Sequence, residues 1–257
     1  MLKVRVIPTI LLKNECVVKG VGFDSWRRIG TILPAIKVYT ARQVDELIIV
    51  DITATNDNRD PDYDEIENFS RECFVPLTIG GGIKNIGQVK KILRAGADKV
   101  CVNSAAYETP ELITEIASSF GVQCVVASID AKKVGGVYKC FSNCAKTETP
   151  YEAAEWAKKL EQLGAGEILI TSIERDGTMS GYDHELIRCV SQNVKIPVIA
   201  SGGAGCYEDM LRALSEGGAS AVAAASMFHF TQNTPVEAKK YLSEKGVSVR
   251  NVNVRLR

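Results

Sequence analysis

One short pattern occurs twice in the chain, as VPLTIGGG at residues 75–82 and as IPVIASGG at residues 196–203. Each copy is an apolar run that ends in small residues and glycines, which is typical of a buried strand followed by a tight turn. A second pair has nearly the same separation, with GADKV at 96–100 and GASAV at 218–222. The chain is therefore predicted to contain two duplicated halves.

Eight short apolar runs recur along the chain, and each is followed by a turn and then by a segment with helical periodicity. The predicted strands are 4–10, 47–52, 76–79, 99–102, 124–129, 168–171, 197–200 and 219–224. The predicted helices include 86–95, 111–120, 151–163 and 206–215, and the least regular segment is 132–149. Eight alternating strands and helices favour an α/β fold, a (β/α)₈ TIM barrel built from two half-barrels, and residues 1–257 are expected to form this one domain.

Composition argues against several classes of function. Lys plus Arg and Asp plus Glu number 31 each, so no positive excess points to nucleic acid or to an anionic membrane. No apolar run approaches the ~18 residues of a membrane span, and the start resembles a strand more than a signal peptide, which predicts a cytoplasmic protein. The cysteines are scattered, with Cys140 and Cys144 as the near pair, and histidines are few. We therefore expect reduced thiols, no metal and no other cofactor.

Ligands of such barrels bind at the C-terminal ends of the strands, so the residues just after each apolar run are informative. The predicted phosphate-binding residues are Gly81, Gly82, Asn103 and Ser104 in one half and Ser201, Gly202, Gly203, Ala225 and Ser226 in the other. Glycines leave room for a phosphate and expose backbone N–H groups to it. The alternative is that these glycines only make tight turns. Because the cluster is duplicated, we favour a substrate with a phosphate at each end.

Carboxylates also appear at the ends of three predicted strands: Asp51 at the second, Asp130 after the fifth and Asp176 in the loop after the sixth. Asp130 ends an apolar run, so its carboxyl is expected in the mouth, partly desolvated, where it can act as a general acid or base. The alternative is that it caps the next turn. When the two halves are aligned, Leu11 stands where Asp130 would have its counterpart, so a symmetric pair of acids is missing.

Taken together, these motifs resemble the cyclase subunit (HisF) of imidazole glycerol phosphate synthase, a lyase of histidine biosynthesis, over nearly the whole chain. The resemblance is densest in DITA at 51–54, IGGGI at 79–83, TSIERDGT at 171–178, SGYD at 180–183 and IASGGAG at 199–205. The related isomerase of the same pathway shares the half-barrels and glycine clusters, but SGYD and the FHF of residues 228–230 are similar to the cyclase. The resemblance implies that Lys19, Thr171 and Gly177 also belong to the substrate site.

In that family, ammonia made by a glutaminase subunit enters the barrel opposite the mouth, past a ring of four charged residues. The matching positions here are Arg5, Glu46, Lys99 and Glu167, and all four charges are present. Asp98 matches a residue that contacts the glutaminase. Buried charges are costly unless they pair, so this set favours an ammonia gate. The alternative is a salt-bridge cluster with only a structural role.

Two departures from the family pattern change the expected function. The family's first strand ends in a catalytic Asp where this chain has Leu11, and SNCAK at 142–146 replaces a glycine-containing loop. Loss of one acid/base group costs about 10²–10⁴ in rate. The first strand also resembles HisF-like paralogues found with surface-polysaccharide genes, which implies a subunit that pairs with a HisH-like glutaminase and supplies ammonia to a sugar amidotransferase making acetamidino sugars.

We expect this sugar-amidation role ahead of the orthodox cyclase, which makes imidazole glycerol phosphate and AICAR. A chain that still cyclises would need another acid at the mouth, and the candidates are Asp51 and Asp176.

Overall fold

A computed structural model describes residues 3–251 of the chain. Its strands are β1 (Arg5–Lys13), β2 (Cys16–Val21), β3 (Asp24–Thr31), β4 (Leu47–Asp51), β5 (Leu77–Gly80), β6 (Lys99–Val102), β7 (Val125–Val134), β8 (Val137–Ser142), β9 (Thr147–Glu152), β10 (Glu167–Ser172), β11 (Val198–Ser201) and β12 (Ala221–Ala224). Eight of them pair in parallel in the order β10-β11-β12-β1-β4-β5-β6-β7, and β7 pairs with β10 to close the ring. The predicted (β/α)₈ TIM barrel is confirmed.

Helices cover the outside of this barrel. They are α1 (Ile32–Ala41), α2 (Tyr63–Glu72), α3 (Ile86–Arg94), α4 (Ser104–Glu108), α5 (Glu111–Phe120), α6 (Ala153–Gln162), α7 (His184–Ser191), α8 (Tyr207–Ser215), α9 (Ser226–Phe230) and α10 (Pro235–Glu244). Their starts follow local chemistry: α3 begins at a reciprocal cap between Asn85 and Gln88, and the Asp183 side chain accepts a hydrogen bond from Leu186 N at the start of α7. No helix among residues 3–251 is long and apolar enough to cross a membrane.

Residues of the barrel strands alternate between two layers. On β1, Val6 and Ile10 point outward and join the large core between strands and helices. Ile7 points inward and packs in a smaller cluster inside the barrel, together with Ile48 and Leu169. Because inward positions recur every second residue, Arg5 and Leu11 lie on the same inner face as Ile7, one near each end of the barrel.

The bounds of the eight predicted strands agree with those of the observed barrel strands to within a few residues. The larger differences lie after the first strand of each half. Residues 132–149 were expected to be irregular, which is wrong: β7 continues to Val134, and β8 and β9 follow it in an antiparallel hairpin. The predicted helix 151–163 therefore begins only at Ala153. In the first half, β2 and β3 form a corresponding hairpin on β1 that was not predicted.

Each hairpin is joined to its barrel strand, β1 or β7, by two residues with left-handed backbone, Asn14-Glu15 (φ 49 and 60) and Gly135-Gly136 (φ 58 and 90). Such two-residue turns match the twist of the strands they join. The β2–β3 hairpin folds back to the mouth, where Gly22 N donates a hydrogen bond to Asp176 O at 2.9 Å. The duplication therefore places one hairpin at each of two opposite positions on the rim.

Candidate active site at the barrel mouth

A cavity of about 320 Å³ opens at the C-terminal ends of the barrel strands. Among the residues that line it are Leu11, Asp51, Gly81, Gly82, Asn103, Ser104, Asp130, Thr171, Asp176, Gly177, Ser201, Gly202, Gly203, Ala225 and Ser226. These are the mouth residues singled out from the sequence, with the exception of Lys19. The structure brings them together, and their individual roles stay predictions.

Asp130 lies at an inward position of β7 and faces the cavity. Asn103 Nδ2 donates a hydrogen bond to Asp130 Oδ2 at 2.8 Å. Burial raises the pKa of the Asp130 carboxyl to about 7, the negative charge of Asp176 adds to this, and the Asn103 bond opposes it. The capping alternative does not apply, because β7 continues past Asp130 to Val134. A carboxyl with this pKa can exchange a proton at neutral pH.

Asp176 and Lys19 form a second charged group beside the cavity. Lys19 is 3% exposed and its Nζ donates to Thr9 O at 2.9 Å. Burial lowers the pKa of the Lys19 ammonium to about 8, opposed by the charge of Asp176. Burial raises the pKa of the Asp176 carboxyl to about 6, opposed by Lys19 and by the Gly177 N–H. Lys19 thus lies behind the cavity wall and acts on the mouth through its charge.

Leu11 and Asp51 also line the cavity, but neither has an unpaired carboxyl group there. Leu11 reaches the cavity from β1, which stands opposite β7 in the ring of strands, and it carries no ionisable group. Asp51 Oδ2 is ion-paired with Arg59 at 2.9 Å, and its Oδ1 accepts hydrogen bonds from the Thr53 and Ala54 N–H groups at 2.9 and 3.1 Å. Its carboxylate is therefore already satisfied by the loop that follows β4.

Local packing requires glycines in both loops singled out as phosphate sites. Gly81 has φ +102, and a Cβ there would lie 2.2 Å from Asp51 O. Gly203 has φ +107, and a Cβ there would lie 2.2 Å from Gly181 O. The turns alone account for these two glycines. The phosphate prediction depends instead on the symmetric placement of the two loops on one cavity, each beside a short helix, α4 or α9.

Several cavity residues were missed by the sequence analysis. Phe23 and Trp26 reach the cavity from the β2–β3 hairpin, and Cys144 reaches it from the turn after β8. Cys144 Sγ donates to Ile52 O at 3.0 Å, and burial raises the pKa of its thiol to about 11, so it stays protonated. The GVG of residues 20–22, between Val17-Val18 and Trp26, is the signal that could have indicated a hairpin here.

The opposite end of the barrel carries the four predicted charges in a closed ring. Arg5 contacts Glu46 at 2.6 Å and Glu167 at 3.0 Å. Lys99 contacts the same two acids at 2.9 and 3.3 Å. Glu46 is 1% exposed and also accepts a hydrogen bond from Thr78 Oγ1 at 2.8 Å. Two bases and two acids make the ring electrically neutral, which makes their burial tolerable.

The barrel interior between ring and mouth is apolar. It contains Ile7, Ile48, Cys101, Val126, Leu169, Ile199, Ala221 and Ala223. The mouth cavity extends down to Cys101, Leu169 and Ala223 of this set. Asp98 lies exposed at the ring end, where its Oδ2 accepts a hydrogen bond from Leu77 N at 2.8 Å. Among residues 3–251, no group of three or more His, Cys, Asp or Glu side chains could hold a metal ion.

The sequence of this barrel is similar to that of known proteins over almost its full length. Residues 5–234 match the family model described as histidine biosynthesis protein. The chain is 48% identical over 250 residues to the "Imidazole glycerol phosphate synthase subunit HisF" of Prosthecochloris aestuarii, covering 97% of this chain and all of that protein. The same subunit of Dehalococcoides mccartyi is 48% identical over 253 residues, covering 98% of this chain and all of that protein.

The chain belongs to the HisF family. The resemblance that the motifs indicated is thereby confirmed. Leu11, where the resemblance implies a carboxylate, lines the mouth cavity with an apolar side chain.

Proposed function

We propose that this HisF-family chain is the cyclase subunit of an imidazole glycerol phosphate synthase and receives ammonia from a HisH-like glutaminase. The observation that carries the proposal is that one cavity collects the Asp130 carboxyl and both duplicated glycine loops. The names of the relatives support the histidine pathway. They favour the cyclase over the sugar-amidation role that Leu11 suggested.

The chemistry needs proton transfer at the mouth. The ribulosyl substrate of this pathway carries a ketone, to whose carbon ammonia adds. A C–N bond forms and the C–O bond breaks, and the two protons that the nitrogen loses leave with the oxygen as water. Asp130 can donate a proton to that oxygen, because its raised pKa keeps it largely protonated up to about pH 7. The glycine loops would hold the two terminal phosphates and so position the ketone.

The ring end is the proposed entry for ammonia and the proposed glutaminase surface. Ammonia is small and neutral, so it can cross an apolar interior that excludes ions. The surrounding surface carries a large exposed apolar side chain, Phe74, which is 79% exposed and lies just before β5. Exposed aromatic side chains are common at the centres of protein interfaces. Together with Asp98, this surface would seat the glutaminase.

Leu11 favours a second candidate, in which the barrel supplies ammonia to a sugar amidotransferase and does not cyclise. In that case ammonia would pass the ring and the apolar interior, and it would leave the barrel through the mouth. This candidate needs no second acid.

Turnover of the ribulosyl substrate by the purified chain with an ammonium salt tests the cyclase proposal. We expect both products, imidazole glycerol phosphate and AICAR, and a loss of rate in the variant Asp130→Asn. Calorimetric binding of the same substrate is measured alongside. Tight binding without any product would overturn the cyclase proposal and favour the second candidate.

A further inference from the structure

We infer that Asp176 supplies the second acid/base carboxyl of the mouth, in place of the one that Leu11 lacks. This inference rests on the proposed cyclase function. It assigns a catalytic role to a residue on the loop after β10, and so decides between the two candidates, Asp51 and Asp176, that the sequence left open.

The backbone places Asp176 next to Asp130. β10 is the neighbour of β7, and Thr171 pairs with Asp130 in their parallel register. Ile173 N donates to Ala131 O at 2.9 Å, which continues this pairing beyond the strand. The chain then turns back, with Asp176 N donating to Ser172 O at 3.0 Å. The Asp176 side chain therefore enters the same cavity from the adjacent strand end.

The other carboxylates on the cavity are less suited to the role. Asp51 is held by Arg59 and by two backbone N–H groups. Glu108 is exposed at the end of α4, where water solvates its charge. Asp176 is only partly exposed, and the β2–β3 hairpin covers it through the bond from Gly22 N. A carboxyl shielded from water responds more strongly to charge that develops on a substrate.

The surroundings of the two carboxyls set different roles for them. Asp130 is bonded to the neutral amide of Asn103, whereas Asp176 faces the buried ammonium of Lys19. A nearby cation favours the ionised carboxyl, so Asp176 starts as the base and Asp130 as the acid. Consistent with this, the pKa of Asp130 (about 7) is raised more than that of Asp176 (about 6).

The protons balance over the two steps of imine formation. As ammonia adds to the ketone, Asp176 takes a proton from the nitrogen and Asp130 gives its proton to the oxygen, which yields a neutral carbinolamine. As water leaves, Asp176 returns its proton to the departing oxygen and Asp130 takes the second nitrogen proton. Both carboxyls end in their starting states, so the pair needs no further co-reactant.

The experiment compares five proteins in ammonium-dependent turnover: wild type, Asp176→Asn, Leu11→Asp, the double variant Asp176→Asn with Leu11→Asp, and the control Glu174→Gln. Glu174 lies on the same loop, is exposed and does not line the cavity. We expect Asp176→Asn to lower kcat by about 10²–10⁴. KM and calorimetric substrate binding should change little. The added Leu11→Asp should restore most of the lost rate, and Glu174→Gln should match wild type.

Three results would overturn the assignment. An unchanged kcat in Asp176→Asn would show that this carboxyl takes no part. A double variant as slow as Asp176→Asn would show that a second carboxyl cannot replace what was lost. An inert wild type that gains activity from Leu11→Asp alone would show that Asp176 does not substitute, while leaving the cyclase site intact. Failure of both wild type and Leu11→Asp despite substrate binding would instead reject the proposed function itself.

Discussion

Asp130 is a carboxyl that the fold holds in its less polar, protonated form. Because burial and the nearby Asp176 raise its pKa from 3.8 to about 7, the folded chain binds this proton more tightly than the unfolded chain does. The contribution of Asp130 to stability is therefore most favourable below pH 4 and is lost as the pH rises to 7. The same burial that makes Asp130 able to exchange a proton near neutral pH also makes its ionised form destabilising to the fold.

We predict that Asp130→Asn lowers activity and stabilises the fold at high pH. The free energy of unfolding should rise by about 1–2 kcal/mol at pH 8, because an amide replaces a desolvated charge, and by much less at pH 4. Urea unfolding at the two pH values measures this difference. The matched variant Asp57→Asn, in an exposed loop, should show no such pH dependence. Equal changes for Asp130→Asn at both pH values would contradict the prediction.

The rate of the wild type should depend on pH in a narrow bell. If Asp176 must be ionised and Asp130 protonated, kcat rises as Asp176 loses its proton near pH 6 and falls as Asp130 loses its proton near pH 7. The two apparent pKa values belong to the coupled pair, which Lys19 and Asn103 also influence. Ammonium-dependent turnover between pH 5 and 9 measures the profile, corrected for the fraction of free ammonia. A rate that rises steadily through pH 8 would exclude Asp130 as the acid.

Single residues of the mouth were predictable where strand geometry fixes them. Asp130 and Ser201 follow from strand ends, because parallel strands present their C-terminal residues to one rim. The proximity of Lys19 to Asp176 could not be derived in this way, since it depends on a hairpin that folds back across the rim. The ion pair that occupies Asp51 was also not visible, because Arg59 comes from an irregular loop.

At the scale of elements, the parallel strands were the most predictable part and the hairpins the least. A buried parallel strand is a continuous apolar run, which stands out in the sequence. The β2–β3 hairpin is half-exposed and mixed in polarity, with DSWRRIGT in β3, so it lacks the alternation that marks a strand. Its conformation is imposed by pairing with β1 and by the contact with the loop after β10.

The contact between the β2–β3 hairpin and the loop after β10 can be tested with two glycine variants. A Cβ on Gly177, which has φ +73, would lie 2.0 Å from Gly20 O, whereas a Cβ on Gly135, with φ +58, would meet no atom within 4 Å. Both positions carry left-handed backbone, so the two Ala variants share that strain and differ in the clash. We expect Gly177→Ala to lose about 1–3 kcal/mol more stability than Gly135→Ala.

Urea unfolding measures this difference, and limited proteolysis reports where it arises. Displacement of the hairpin by Gly177→Ala should expose its Lys and Arg residues to faster trypsin cleavage. Equal stability losses in the two variants would mean that the loop after β10 moves aside and the hairpin stays in place.

At the scale of the whole molecule, the barrel separates two sites along one axis. The mouth collects the acid and the glycine loops, the ring end carries four paired charges, and an apolar interior lies between them. The barrel geometry predicted the mouth, because parallel strands present their C-terminal ends to one rim, whereas the ring at the opposite end was implied by the resemblance to the HisF family. A single domain over residues 1–257 stays a prediction, since residues 1–2 and 252–257 lie outside the described part of the chain.

The ring allows the two sites to be tested separately. Glu167→Lys changes the ring from neutral to a net charge of +2, because two acids and two bases become one acid and three bases. Repulsion between the introduced ammonium group and the charges of Arg5 and Lys99 should force the ring open or displace the glutaminase that covers it. We therefore expect glutamine-dependent turnover with the glutaminase to fall at least about tenfold, whereas ammonium-dependent turnover, which uses only the mouth, stays within a few fold of wild type.

The matched control is Glu155→Lys, which makes the same charge change at an exposed position of α6, outside the ring. It should leave both rates near wild type, and a thermal melt of each variant checks that the barrel remains folded. The decisive quantity is the ratio of the glutamine-dependent rate to the ammonium-dependent rate. If Glu167→Lys lowers both rates by the same factor, the ring serves only to stabilise the barrel, and ammonia must reach Asp130 by another route.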